Sequence, residues 1–131
     1  MTGAEFRPVS AAEDAVLRER LHRAHFLGDP DQNFDPERLR DPHWTGRDVR
    51  EDVERWVAGA TDSVIAVVFH LESDGCYRLR SARLGAFLDE NWWGAADVFV
   101  CDEAGEWLVY FSHDDDIVLR GLAVAAGEAD G

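Results

Sequence analysis

The chain reads as a single α+β domain: an antiparallel sheet of about five strands, with two N-terminal helices and one short inserted helix packed on it. Three observations predict this. Residues 11 to 60 hold two stretches with apolar side chains at helical spacing. Residues 63 to 121 hold short β-branched and aromatic runs separated by turn residues. A length of 131 residues suits one core and is short for two. The domain is expected over residues 1–121, with 122–131 as a frayed tail.

Ser10 and Glu13 form a capping-box pattern ahead of "AAEDAVLRERLHRAHFL", where Val16, Leu17, Leu21, Ala24 and Leu27 share one broad face. A helix is predicted from about 11 to 27, stopped by Gly28. The next segment, "GDPDQNFDPERLRDPHW", carries three prolines and reads as a loop with a short helical turn at 36 to 40. Thr45 then caps a second helix, "GRDVREDVERWVAGA". Its Val49, Val53, Trp56, Val57 and Ala60 cluster within about 100°, with Arg47–Glu51, Arg50–Glu54 and Glu51–Arg55 pairs outside.

The run "DSVIAVVFHLE" is apolar on both parities, and "SDG" turns it into "CYRLR", which predicts a hairpin. "SARLGAFLDEN" is a short third helix capped by Ser81. "DVFVCD", "WLVYFS" and "IVLRGL" follow as a three-stranded meander. Because Val98 to Cys101 and Trp107 to Phe111 do not alternate, these are interior strands covered on both faces, in part by helices and in part by a further element or a partner.

Apolar residues at 46% and five tryptophans supply a core. All 13 basic side chains are arginine, the composition of a GC-rich bacterial coding sequence. No apolar run reaches the roughly 18 residues of a membrane span and the start lacks a signal peptide, so a cytoplasmic location is expected. Cys76 and Cys101 have no CxxC neighbour and are expected as reduced, packed strand residues. The net charge of −14 argues against nucleic acid and anionic membrane as ligands and for a basic protein partner.

That charge is localised. Between Arg83 and Arg120 there is no basic residue, yet the interval holds Asp89, Glu90, Asp97, Asp102, Glu103, Glu106, Asp114, Asp115 and Asp116. Most fall in turns of the meander, where acids solvate a turn or build an acidic rim for docking at one or both sheet edges. In "ENWWGAAD", Trp92 and Trp93 sit among these acids. Either could enter the core or stay exposed as an anchor, since an aromatic within a charged surround is the composition of a binding hot spot.

The "HDDD" run sets His113 beside Asp114, Asp115 and Asp116, a candidate for metal binding, for catalysis or for a plain turn. It lacks the spacing of a calcium loop, and adjacent side chains in a turn diverge, so no metal or other cofactor is expected there. His22 and His25 are three apart on the first helix without an H-E-x-x-H motif, His25 at the rim of the apolar face and His22 outside it. His70 lies on a strand and reads as a hydrogen-bonded structural histidine. No nucleophile elbow or phosphate loop is present.

The pattern "ENWW…DVFVCDEAGEWLVYFSHDDDIVLRG", about 32 residues, resembles the C-terminal meander of small bacterial toxin-immunity proteins. The resemblance implies a non-enzymatic inhibitor that binds and neutralises one cognate toxin, often a basic nuclease masked by acidic side chains. The candidate contact residues are Asp89, Glu90, Trp92, Trp93, Glu103, Glu106, His113, Asp114, Asp115 and Asp116. Two alternatives belong to other classes: a small metal-dependent or hydrolytic enzyme using His113 or His70 with carboxylates, and a regulatory or scaffold domain.

Overall fold

The computed structural model describes residues 6–29, 34–69, 75–92 and 96–121. The elements in chain order are β1 (Phe6–Pro8), α1 (Ala11–His25), β2 (His43–Gly46), α2 (Arg50–Ala60), β3 (Ser63–Phe69), β4 (Gly75–Arg80), α3 (Leu84–Asn91), β5 (Asp97–Asp102), β6 (Leu108–Phe111) and β7 (Asp116–Arg120). Short 3-10 turns at Pro36–Arg38, Arg47–Val49 and Ser81–Arg83 link them.

The strands form one sheet in the order β1-β4-β3-β5-β6-β7-β2. Every pairing is antiparallel. The β3–β4 hairpin and the β5–β6–β7 meander pair as the sequence predicts. The expected turn at 73 to 75, His70, Trp93 and the tail at 122–131 lie outside the described residues, apart from Gly75, which opens β4.

Strands apolar on both parities divide their side chains between two cores, because successive residues face opposite ways. Val64, Ala66 and Val68 join Val98, Val100, Val109, Phe111 and Ile117 beneath Val53 and Val57 of α2 and Leu84, Phe87 and Leu88 of α3. Ile65, Val67, Phe99, Cys101, Leu108, Tyr110 and Val118 face the other way, under Leu17 and Leu21 of α1 with Phe26, Phe34 and Leu39. The second face is therefore covered by side chains of the chain itself, from α1 and from Phe26, Phe34 and Leu39.

Seven strands replace the expected five. The additions are β1 and β2, of three and four residues, too short to show a period in sequence. They also precede and separate α1 and α2, so the helices are not one N-terminal block. Thr45 is in β2 and donates its hydroxyl to Ile117 O at 2.6 Å instead of capping α2. Helix α2 emerges from the 3-10 turn with Val49 at its N-cap and no side-chain cap. Ser81 likewise caps no helix. It is buried and donates to Thr61 O, and α3 begins after Arg83.

Helix α1 keeps the expected Ser10 cap, accepting from Glu13 N at 3.1 Å, but ends at His25. Phe26 is extended and bridges to Leu39, and Gly28, at φ +91°, lies beyond. Its buried face also differs: Leu17, Arg18, Leu21, His22 and His25 face the sheet, while Val16 is 63% exposed and Leu27 50%. Two of the polar side chains at inner positions, Arg18 and His25, meet partners there. Arg18 pairs with Asp14 at 2.6 Å and lies over the Phe69 ring.

On α2 the Arg50–Glu54 pair forms at 2.8 Å. Arg55 pairs with Asp52 instead of Glu51, and Arg47 reaches across to β7's turn. Among the described residues no helix is long and apolar enough to cross a membrane.

Candidate functional site

The turn between β6 and β7 is closed by its own main chain. Ser112 N donates to Asp116 O at 2.8 Å, Asp115 N to Ser112 O at 2.9 Å, and Asp114 N to the Ser112 hydroxyl at 3.0 Å. Asp115 takes φ +68°, a left-handed conformation that Asp tolerates better than most residues. Side chains on so tight a turn point apart. His113 turns to Asp97, Asp115 to Arg47 at 2.6 Å, and Asp114 projects outward, 74% exposed and 3.6 Å from His113 Nε2. Among the described residues no three His, Cys, Asp or Glu side chains converge to hold a cation.

Asp97, at the start of β5, is the hub. Its Oδ1 accepts from the Tyr110 hydroxyl at 2.8 Å, from His113 N at 2.8 Å and from His113 Nδ1 at 2.9 Å. The hydrogen bond to Asp97 raises the His113 pKa above the usual histidine value. Burial, with the Asp97 carboxylate, pushes the Tyr110 phenol up against the opposing hydrogen bond to Ser112, so it stays a neutral donor.

Beside this hub Trp92 is 3% exposed, packs 5.1 Å from the Phe111 ring and donates Nε1–H to Ser112 O at 2.8 Å. It is a core residue that braces the turn, and so it does not serve as the exposed anchor. Arg47 and Arg50 stack outside it, 4.6 and 6.0 Å from the ring centre. Arg47 pairs with Asp115, and Arg50 with Asp89 at 2.7 Å. Glu90 follows Asp89 on the exposed side of α3.

Glu103 and Glu106 are elsewhere. They lie in the β5–β6 turn, at the opposite end of β5 from Asp97, about 17 Å away at the rise of an extended strand. Glu103 receives Arg78 through two bonds of 2.8 and 3.1 Å and Ser63 at 3.0 Å, and Arg78 holds its carboxyl below the usual range. Asp102 Oδ1 accepts Glu106 N at 2.7 Å. Of the expected rim at one or both sheet edges, the structure shows the second form, with the acids divided between the two ends of β5. Arginines remote in sequence, Arg47, Arg50 and Arg78, compensate some of them in space.

The structure brings a different tryptophan to the surface. Trp44, on the terminal strand β2, is 52% exposed. Its register partner is Val118, and Gly46 is opposite Asp116. Trp44 and Asp116 thus lie on one face as diagonal neighbours, about 7–8 Å apart by strand geometry. The available sequence signal was the β-prone run "HWTG" after a proline.

A second polar cluster, at the other end of β7, is buried. His25 Nε2 donates to Gly105 O at 2.8 Å while Nδ1 accepts from Arg120 Nε at 2.8 Å. His22, also buried, stacks 5.1 Å from Phe26, and its Nδ1 has no hydrogen-bond partner among the described residues. These side chains face the core that the sequence pattern gave to Ala24 and Leu27. A groove between α2 and residues 81–85, lined by Glu51, Glu54, Arg55, Ala58, Ser81, Ala82 and Gly85, contains none of the expected site residues. No protein-family model matches the chain, and neither a curated protein nor a solved structure matches it.

Proposed function

We propose that the protein is an acidic protein-binding module of the immunity type, which binds a basic toxin and neutralises it in the bacterial cytoplasm. The observation that carries this is the exposed indole of Trp44 beside Asp116 and the outward Asp114, on a chain of net charge −14. An aromatic anchor supplies affinity once desolvated, and the surrounding carboxylates steer a cationic partner and filter out others. Asp89, Glu90, His113 and Asp115 border the same end of the sheet. Trp92 shapes that end from beneath, and Glu103 and Glu106 contribute only to the overall field.

The test is titration of the purified chain with the product of the adjacent gene, together with growth of cells expressing that product with and without this chain. Tight binding that weakens steeply with salt, and restored growth, support the proposal. Absence of binding at low salt contradicts it.

One observation favours a second reading. His113 is half-exposed, with Nδ1 on Asp97 and Nε2 3.6 Å from the outward Asp114, and the Nδ1 contact is that of a general base oriented by a carboxylate. Such an enzyme would hydrolyse activated esters or phosphodiesters in a reaction abolished by His113→Gln. The binding module has no such turnover.

A further inference from the structure

The two edges of the sheet are built differently. At one, β1 is three residues long and ends in Pro8, which has no N–H to offer, and Phe6 is buried beneath. At the other, β2 carries no proline or arginine within His43–Gly46 and pairs with β7 at all four positions. An edge strand paired on one side turns the N–H and C=O groups of alternate residues outward, here two of the four. Pro42 and Arg47 bound the strand, but within its four residues β2 has no proline and no charged lysine or arginine, and its large apolar side chain, Trp44, is exposed.

Charge decides which occupant suits this edge. A second copy adding β2 to β2 about a twofold axis would set Asp41 of each chain toward Asp48 of the other, and would join two chains of net charge −14. The arginines that flank the strand are already engaged, Arg40 with Phe26 O at 3.0 Å and Arg47 with Asp115. Arg120, on the Trp44 face of β7, is held by His25, Arg40 O and Ala24 O, and against it and Arg40 stand the carboxylates of Asp41, Asp48, Asp114 and Asp116, so the balance around the edge is negative.

We propose that β2 is a strand-addition site for an extended, arginine- or lysine-bearing segment of the partner protein. The segment's main chain pairs with the outward groups of Trp44 and Gly46, and its side chains on the α1 face meet Trp44 and Asp116. A guanidinium there stacks on the indole and faces the carboxylate, while the main-chain bonds fix register. This rests on the basic-partner proposal above and specifies how the partner is held.

The probe is a seven-residue capped peptide alternating valine and arginine, with two controls: the same peptide N-methylated at alternate residues, and a valine–glutamate counterpart. Amide spectra of the isotope-labelled chain report the site. The arginine peptide is expected to shift residues 43–46 and the Trp44 indole and to slow exchange of the outward amides. N-methylation on the pairing edge, or Trp44→Ala, weakens binding at least tenfold, and the glutamate peptide does not bind.

Equal binding of the N-methylated peptide, shifts confined to other residues, or no binding at millimolar peptide would each overturn strand addition. None of these touches the titration with the adjacent gene's product, so a failure of this mode is separable from a failure of the basic-partner proposal.

Discussion

Arg120 donates its Nε–H to His25 Nδ1 at 2.8 Å, joining β7 to the end of α1 across 95 residues of sequence. The same guanidinium donates to Arg40 O at 2.6 Å and Ala24 O at 3.0 Å. One side chain thus satisfies three acceptors that the fold leaves at the junction of α1, residue 40 and the sheet. Arg120→Ala strands those acceptors at a partly buried site and is expected to cost about 2–3 kcal/mol. Thermal unfolding of the variant measures it, and a loss below about 0.5 kcal/mol contradicts the pin.

The same contact sets a pH dependence. Burial lowers the His25 pKa below 6.5 and the Arg120 charge adds to this, against the opposing hydrogen bond to Gly105 O and the more distant Asp102. Unfolded, His25 takes up its proton near pH 6.5; folded, only at lower pH, so the unfolded state binds more protons in between. Stability from this group is complete above pH 6.5 and falls as pH drops toward the folded pKa, by about 1.4 kcal/mol per unit of separation. His113 works the other way, its stabilisation present below pH 6.5 and lost as pH rises through its raised pKa, but it is exposed and screened. Denaturation midpoints at pH 7 and pH 5 should fall toward acid in the native chain and fall less in His25→Gln.

Trp92 braces the β6–β7 turn from below. Trp92→Phe keeps the ring contact with Phe111 and removes the donor to Ser112 O. It should lower stability by about 1–2 kcal/mol without abolishing folding. Affinity for a partner at Trp44 should change less than threefold, which a titration of the variant checks.

Cys76 and Cys101 are free and buried on the sheet's α1 face. Burial pushes the Cys76 thiol up to about 12 and Cys101 higher still. Thiolate is the reactive form, so both should resist a disulfide reagent at pH 8 until denaturant is added. Rapid labelling of the native chain would contradict this packing.

What could be read ahead of the structure was what is apolar over several residues. The Val53–Val57 spacing of α2 carries a helical period, the unbroken apolar runs of β3, β5 and β6 mark strands buried on both faces, and each element stands where the pattern put it. β1 and β2 are as short as β6 or shorter but, unlike it, belong to no apolar run, so they were invisible, and with β2 the exposure of Trp44. Helix α1 misled because Arg18, His22 and His25 count as polar on a helical wheel, and the partners of Arg18 and His25 that make burial cheap come partly from Gly105 and Arg120. How the acids divide was not legible, because neighbours in sequence lie at opposite ends of a six-residue strand, and the arginines that meet them come from 25 to 68 residues away.

Trp44 is the proposed anchor for a basic partner. Its most direct test is the dissociation rate of the complex with the adjacent gene's product, compared between the native chain and Trp44→Ala. A central aromatic hot spot is worth about 2 kcal/mol or more, so a dissociation constant raised about 30-fold, mostly through faster release, is the result expected. A dissociation constant within twofold of the native chain's, with the variant folded, would place the contact elsewhere and contradict the account.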